Sequence, residues 1–523
     1  MAMEQLPQEI FQKIVDYVLQ DDRPSPPSLE SILNGEIDIP FGDLLKSLHP
    51  FADRGPKPVS RSSYATISRR WQYAVESLSF RRIEIETTKL AFFENLFRAS
   101  QWHRRLIVDD LTLSIILPAG DSCSQETLDN GFSSVIHRLF RFLKTLLEET
   151  NSTRKGRDFT LVLNLESSDH RDEIRRVRKN IKSFVHLKNE EELPVLPGLS
   201  TFFVNTSNVI RSIDLTSSMA MMRKLENMQE CTLSTQDTVW FSEAQRHAIR
   251  ADLARDVLSF PRCIDKFRMI YGIIGTKRDL RPSTSFRSSK LEPDPLSAAL
   301  HQSIQRGCVQ VDLQTWHIIS PDLFWLPDTN PAVTPFWPRL EMIDVEMAHT
   351  NPDGEWYFMP DPKDVNYAKL GRRINSGSAG DLRRLSIESD PFYIPPDDED
   401  GAFYVKGIPD PKTMNPLFIA ISRAIRHAPR LERLRLHVKE DFLSARYVGN
   451  ARLGVLFNMV YLAKGVRYPK LDKTPVKRNR LIWDTCGWKA DKAIEEHFKT
   501  ALGPNGYMHY ARSKWSRPGE VGW

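Results

Sequence analysis

Apolar positions along this chain follow two patterns, and the patterns occupy different regions. Near the start, Ile10/Phe11, Ile14/Val15 and Val18/Leu19 recur at helical spacing, a stripe down one face. Pro7 suits the first helical position, where its missing N–H is no loss, and Glu9 in the first turn complements the positive helix end. A second stripe runs through Tyr64, Ile67, Trp71, Ala74/Val75 and Leu78, with Arg69, Arg70 and Gln72 on the other side. Between the stripes, residues 20–60 hold Pro24, Pro26, Pro27, Pro40, Pro50, Pro56 and Pro58, a density that breaks regular elements and marks a loop-rich insertion. Leu44, Leu45, Leu48 and Phe51 are spaced for a short helix inside it. The helical region is expected to close after Phe80-Arg81-Arg82-Ile83-Glu84-Ile85.

Beyond that point the pattern changes to short alternating segments, whose apolar side chains share one face of a strand. They are Leu111–Ile115, Phe159–Leu165, Val309–Leu313, Leu340–Val345, Leu382–Ile387 and Leu431–Leu436. The last two have an L-x-x-L-x-L or L-x-x-L-x-I shape. Three are preceded by amphipathic helices. Asp294-Pro295 opens one that runs to Ile304 and Gly307, and Asn415-Pro416 is expected to open another that runs to Ile425 and Pro429. Val135 to Leu147 makes a looser third. The stretch from Gly354 to Gly380, with Trp356-Tyr357-Phe358 embedded, and the acidic tip Asp397–Asp400 read as inserted loops, the aromatics pinning theirs to the body. Arg278–Lys290 and Lys470–Arg480 read as solvated basic segments. Leu481-Ile482-Trp483, Gly487-Trp488 and a helix from Lys489 to about Ala501 read as a terminal cap.

The N-terminal pattern resembles a known family. Leu6-Pro7-Gln8-Glu9-Ile10, then Ile14, then Ser68-Arg69-Arg70-Trp71 with Ala74 and the Phe80–Ile83 tail, is similar to an F-box, interrupted here by residues 20–60. The same stripes also suit two ordinary amphipathic helices packing in a core. The helix-to-strand units that follow resemble irregular leucine-rich repeats, in which each unit buries its apolar face only by stacking on neighbours. Their spacing exceeds that of regular repeats, and an unrelated α/β domain is the alternative; both predict a mixed α/β body. The expected architecture is therefore α/β. A small helical F-box (residues 1–88) comes first, then an irregular leucine-rich-repeat-like solenoid (89–480) and a capping segment (481–523). The whole is similar to fungal F-box proteins.

Composition narrows the picture. The 523 residues are 41% hydrophobic, enough for a sizeable core, and 72 Lys+Arg against 67 Asp+Glu leave a net charge of +5, which demands neither nucleic acid nor an anionic membrane. The cysteines (Cys123, Cys231, Cys263, Cys308, Cys486) form no C-x-x-C pair and read as reduced thiols of an intracellular protein, cytoplasmic or nuclear. No signal peptide or membrane-spanning run is expected. The histidines show no zinc spacing, Gly272–Lys277 lacks the order of a phosphate loop, and Gly377-Ser378-Ala379-Gly380 is too short for a nucleophile elbow. His170-Arg171-Asp172 lacks a kinase context, and Arg175–Lys179 lacks the aromatics of a base-stacking platform. No metal or cofactor is expected.

The resemblance implies an adaptor rather than an enzyme. The F-box would dock onto the Skp-type adaptor of a cullin–RING ubiquitin ligase by helix-in-groove packing, and the body would hold an unidentified target protein. It maps the docking residues onto Leu6, Pro7, Ile10, Ile14, Ile67 and Trp71, with Trp71 also suited to anchor the domain's own core. The rivals are a ligase-independent interaction scaffold and a hydrolase or transferase of unrecognised type, which a deep pocket with convergent ionisable groups would support.

Overall fold

The computed structural model describes residues 68–97, 104, 107–117, 124–150, 159–167, 184–205, 213–238, 243–260, 264–274, 292–330, 335–363, 403–438, 446–448, 451–454, 457–467, 476–485 and 487–511. It is a mixed α/β structure with a large, mostly parallel sheet. The first eight strands are β1 (Arg82–Glu86), β2 (Asp110–Leu117), β3 (Thr160–Ser167), β4 (Thr201–Asn205), β5 (Glu230–Thr238), β6 (Lys266–Ile274), β7 (Gln310–His317) and β8 (Met342–Met347). They lie side by side in chain order, every neighbouring pair parallel. The short strands β9 (Phe358–Pro360), β10 (Phe403–Pro409), β12 (Arg446–Val448) and β13 (Ala451–Gly454) form a separate four-stranded sheet. The main sheet resumes with β11 (Arg433–Val438), parallel to β8. It then adds β14 (Phe457–Leu462) and β15 (Arg480–Asp484) antiparallel and ends on β16 (Tyr507–Tyr510), parallel to β15.

One apolar signature underlies this order. Residues two before, one after and three after each strand start are apolar in the sets Phe80/Ile83/Ile85, Val108/Leu111/Leu113, Leu199/Phe202/Val204, Met228/Cys231/Leu233, Ile264/Phe267/Met269, Cys308/Val311/Leu313, Leu340/Ile343/Val345 and Leu431/Leu434/Leu436. The last two positions of each set are Cα partners across every pairing from β1 to β11, so they form two continuous rows on one face of the sheet. The strand entries repeat as well. The carbonyl of Arg81 accepts the N–H groups of both Asp109 and Asp110, 2.9 Å each. Phe159, Ser200, Gln229, Asp265, Val309 and Glu341 carbonyls each take the two N–H groups at the start of the next strand in the same way. A register error of one residue would turn every side chain of a strand to the other face, so the repeated entry locks the buried rows in place.

The helices cover those rows. They are α1 (Arg69–Ser79), α2 (Leu90–Leu96), α3 (Gln125–Thr150), α4 (Leu215–Arg223), α5 (Glu243–Leu258), α6 (Pro295–Arg306), α7 (Pro411–His427) and α8 (Lys492–Leu502). From α2 onward each sends side chains into one core cluster with the strand rows, among them Phe93, Phe132, Met219, Leu253, Leu300, Phe418 and Phe498. Asp294 caps α6 by accepting the Ser297 N–H at 2.9 Å, as its Asp-Pro pair predicts.

Several expectations are corrected here. Helix α7 is capped by Asp410 with Pro411 at the first position, so Asn415 is no cap and Pro416 lies inside the helix. Two Pro-containing starts compete in this segment, and the earlier one wins because it gives Thr413 and Met414 places on the buried face. Helix α8 starts at Lys492, not Lys489, because Asp491 accepts the Ile494 N–H. Arg480, read as part of a solvated basic segment, lies in β15 and is 2% exposed, its Nη2 donating to the Val466 carbonyl at 3.0 Å. Arg82–Glu86, read as the tail of the helical domain, is the first strand of the main sheet. Of the loop starting at Gly354, residues 358–360 form β9, Tyr357 and Phe358 are buried, and the Tyr357 hydroxyl donates to the Ile319 carbonyl at 2.7 Å.

Candidate functional site

Alternation sends the residues between the buried rows to the opposite face of the sheet. Toward β1–β5 the middle row of that face, after Glu84, is Thr112, Val162, Phe203 and Thr232, uncharged and half-buried or buried. From β6 onward the same row becomes Arg268, Asp312, Asp344 and Arg435, each the Cα partner of the next. The Arg268 Nε donates to Asp312 Oδ2 at 2.8 Å, and Gln314 Nε2 donates to the same oxygen at 2.9 Å. On the next strand, Asp344 lies 3.2 Å from His437 Nε2 and 3.6 Å from Arg435 Nη1. The Arg435 Nε donates to Asn458 Oδ1 at 3.1 Å.

Two carboxylates facing each other across adjacent strands repel, and their titration reflects it. Burial raises the Asp312 carboxyl and the Asp344 charge adds to the rise, against the opposing pull of Arg268. Burial also pushes Asp344 up, but contact with His437 and the charge of Arg435 outweigh it and leave that carboxyl below its usual range. The outcome is a fixed row of charges in the order plus, minus, minus, plus on a rigid sheet. Such a row suits recognition of another surface by charge register, since each group is held before a partner arrives. At the C-terminal end of the same face, Val460, Leu462 and Ile482 are buried as a small second cluster with Val466 against it.

A second polar cluster is sealed inside. The Arg250 guanidinium on α5 grips Asp294 at the start of α6 through Nε to Oδ1 and Nη2 to Oδ2, both 2.6 Å, and Nη2 also donates to the Ile318 carbonyl at 2.7 Å. The two side chains are 6% and 0% exposed. The Asp294 N–H donates to Asp322 Oδ2, and the Ser320 N–H donates to the Ser297 hydroxyl. Burial favours a neutral Asp294, yet Arg250 and Ser297 hold its carboxyl below the usual range. Nearby, burial pushes His301 and His317 down to about 4, and their rings bond the Leu323 and Met269 carbonyls. These groups are buried. They clamp α5, α6 and the segment after β7 together.

Of the residues expected to meet the Skp-type adaptor, Leu6, Pro7, Ile10, Ile14 and Ile67 lie outside the described residues. Trp71 lies on α1, where its N–H donates to the Ser68 hydroxyl at 3.3 Å and its ring is buried. Trp71, Ala74 and Val75 share the buried face, whereas Arg69, Gln72 and Tyr73 are exposed. Glu76 on the same helix takes both Nε and Nη2 of Arg104, at 3.1 and 2.6 Å. Two shallow clefts also occur, one of 760 Å³ beside Lys499, Gly506 and Tyr507 and one of 430 Å³ between His137, Arg141 and Lys188. Among the described residues, no group of three or more His, Cys, Asp or Glu is arranged to hold a metal ion, and no helix is long and apolar enough to cross a membrane. Cys231 and Cys308 are buried and free.

The charged row on this face was missed at sequence level. Its signal was present in Arg268, Asp312, Asp344 and Arg435, each flanked by the two apolar positions of its strand signature. No family model, no curated protein and no solved structure matches the chain.

Proposed function

We propose that this chain is the substrate-recognition adaptor of a cullin–RING ubiquitin ligase of the Skp–F-box type. Residues 1–88 would dock onto the Skp-type adaptor, and the α/β body would hold a target protein. The chain would supply proximity and orientation rather than covalent chemistry. We read the body as an irregular leucine-rich-repeat-like solenoid. The observation that carries this reading is the run of parallel strands in chain order, which share two in-register apolar rows and, at the entries of β2, β4–β8 and β11, a carbonyl that accepts two successive N–H groups. Repeat bodies of this kind expose one strand face as an extended binding surface. The F-box-like residues Leu6, Pro7, Ile10, Ile14, Ile67 and Trp71 supply the ligase side of the reading. In this role the protein needs no metal or cofactor, spans no membrane, binds no nucleic acid and works in the cytoplasm or nucleus.

The test is capture of the purified full-length chain on an immobilised Skp-type adaptor, with Ile14→Asp and Trp71→Phe alongside. Binding by wild type, its loss in an Ile14→Asp chain that melts normally, and its retention in Trp71→Phe support the adaptor role with Trp71 as core. Absence of binding by a folded wild-type chain would refute the role and favour a ligase-independent interaction scaffold.

A further inference from the structure

A short strap crosses the helix layer between α3 and α4, and both helices hold its main chain. On the α3 side, Gln125 Nε2 donates to the Phe184 carbonyl at 2.6 Å and Asp129 Oδ1 accepts the His186 N–H at 2.9 Å. One turn on, the Ser133 hydroxyl accepts the Lys188 N–H at 2.8 Å and His137 Nε2 donates to the Lys188 carbonyl at 3.0 Å. From α4, the Asp214 N–H donates to the Val185 carbonyl and the Ser217 hydroxyl accepts the Leu187 N–H at 2.8 Å. Bonded in this way, residues 184–188 are fixed before any ligand arrives, which lowers the cost of binding one. A single extended strap is thinner than a helix, whose side chains span about 10–12 Å. It therefore leaves a concavity against α3, the cleft of 430 Å³.

The lining of that cleft is polar on both sides. Asn130, Ser134, His137 and Arg141 follow one another along a single face of α3. Across from them lie Lys188, Asn189 and Glu192, where the left-handed backbone of Asn189 (φ 54°) turns the chain away from the strap. Other cations on α3 are answered by carboxylates: Arg138 by Glu94 at 2.6 Å and Lys144 by Glu148 at 3.7 Å. Arg141 lies between them and donates only its Nε, to the His137 carbonyl, with no ion-pair partner among the described residues. Lys188 has only the 80% exposed Glu126, at 3.9 Å. The side chains of Asn130, Ser134 and Asn189 are hydrogen-bonded to no described residue. Two weakly answered cations and several spare donors and acceptors thus meet in a concavity whose walls are already fixed. We propose that this cleft binds a small polyhydroxylated anion, a sugar phosphate or a sugar acid. Its anionic group lies between Arg141 and Lys188, and its hydroxyls meet the Asn130, Ser134 and Asn189 side chains and the Glu192 carboxylate. The proposal goes beyond the adaptor reading and does not rest on it.

The experiment is isothermal titration of the full-length chain, at low salt, with glucose 6-phosphate, gluconate, glucose and inorganic phosphate. The two sugar anions are expected to bind about tenfold more tightly than glucose, and glucose 6-phosphate about tenfold more tightly than inorganic phosphate. Whichever sugar anion binds more tightly identifies the head group as phosphoryl or carboxylate. Arg141→Gln and Lys188→Gln are each expected to weaken both anions about tenfold. Thermal melting checks that both variants fold. Lys144→Gln removes an exposed charge from the same helix outside the cleft, and is expected to leave binding unchanged. Equal affinity for glucose or for inorganic phosphate would overturn the proposal. So would anion binding unmoved in folded Arg141→Gln and Lys188→Gln, an equal loss in Lys144→Gln, or no binding of either sugar anion by the folded wild-type chain.

Discussion

The sealed pair Arg250–Asp294 offers the sharpest check on the packing described above. Asp294 accepts two 2.6 Å bonds from Arg250 and a 2.9 Å bond from the Ser297 N–H, and it is fully enclosed. Arg250→Met leaves the carboxylate buried with only its helix cap. Asp294→Asn keeps an acceptor for Ser297 but takes from the sealed guanidinium the carboxylate it grips. Each is expected to cost about 3–5 kcal/mol, because breaking a buried pair strands a charge. The double variant Arg250→Met/Asp294→Asn removes both charges of the pair, together with the Arg250 bond to the Ile318 carbonyl. It is expected to fall short of the summed single costs by about 2–3 kcal/mol. Urea denaturation followed by tryptophan fluorescence and by circular dichroism, at neutral pH, measures all four chains. The sign with pH is also fixed. The folded Asp294 carboxyl lies below its unfolded value of about 3.9, so its stabilisation is complete above that pH and is lost as pH falls through the folded value. Asp294→Asn lacks that acid-dependent loss. Strict additivity, or single costs below about 1 kcal/mol, would refute a tightly packed, charge-paired clamp.

Other consequences follow from burial. His301 and His317 titrate at about 4 when folded and at about 6.5 when unfolded, so both contributions are complete above 6.5 and are lost as pH falls from there toward 4. His317→Gln is expected to make the stability–pH profile shallower across that window, and an unchanged slope would contradict the assignment. Trp483 is fully buried among Phe418, Phe498 and Trp488, at ring distances of 5.2, 5.5 and 5.8 Å. Trp483→Ala is expected to cost about 3–5 kcal/mol and to raise protease sensitivity after β14; wild-type sensitivity would argue against a packed terminal unit. A Cβ at Gly506 would meet the Leu502 side chain and lie 2.8 Å from the Leu502 carbonyl, so Gly506→Ala is expected to loosen β16, read as faster amide exchange at Tyr507–Tyr510.

Strands with strong aliphatic alternation, such as those at Leu111, Leu161, Val311, Ile343 and Leu434, were legible because their inward letters are uniformly apolar. The strands β4, β5 and β6 carry the same signature written with Phe, Cys and Met, as Phe202/Val204, Cys231/Leu233 and Phe267/Met269, and alternation of aliphatic letters alone passes over them. Helix α5 escaped notice for another reason: its buried face includes Arg246 and Arg250 beside Leu253 and Val257, so an inward position there reads as polar. The Asp294-Pro295 cap was readable as written, whereas Asn415-Pro416 copied its letters without its role because Asp410-Pro411 had already started the helix. Arg480 looked solvated since a charged side chain is buried only where a distant carbonyl accepts it, here Val466. The charged row across β6, β7, β8 and β11 is a product of register between strands far apart in the chain, which single-strand patterns do not contain.

The most direct test of the central claim is the solution mass of an equimolar mixture of the full-length 60.3 kDa chain and a Skp-type adaptor, by size-exclusion chromatography with light scattering. A single species with the summed mass of one chain and one adaptor is predicted, with separate components when the chain carries Ile14→Asp. Two unmixed peaks from folded wild-type protein would contradict the account.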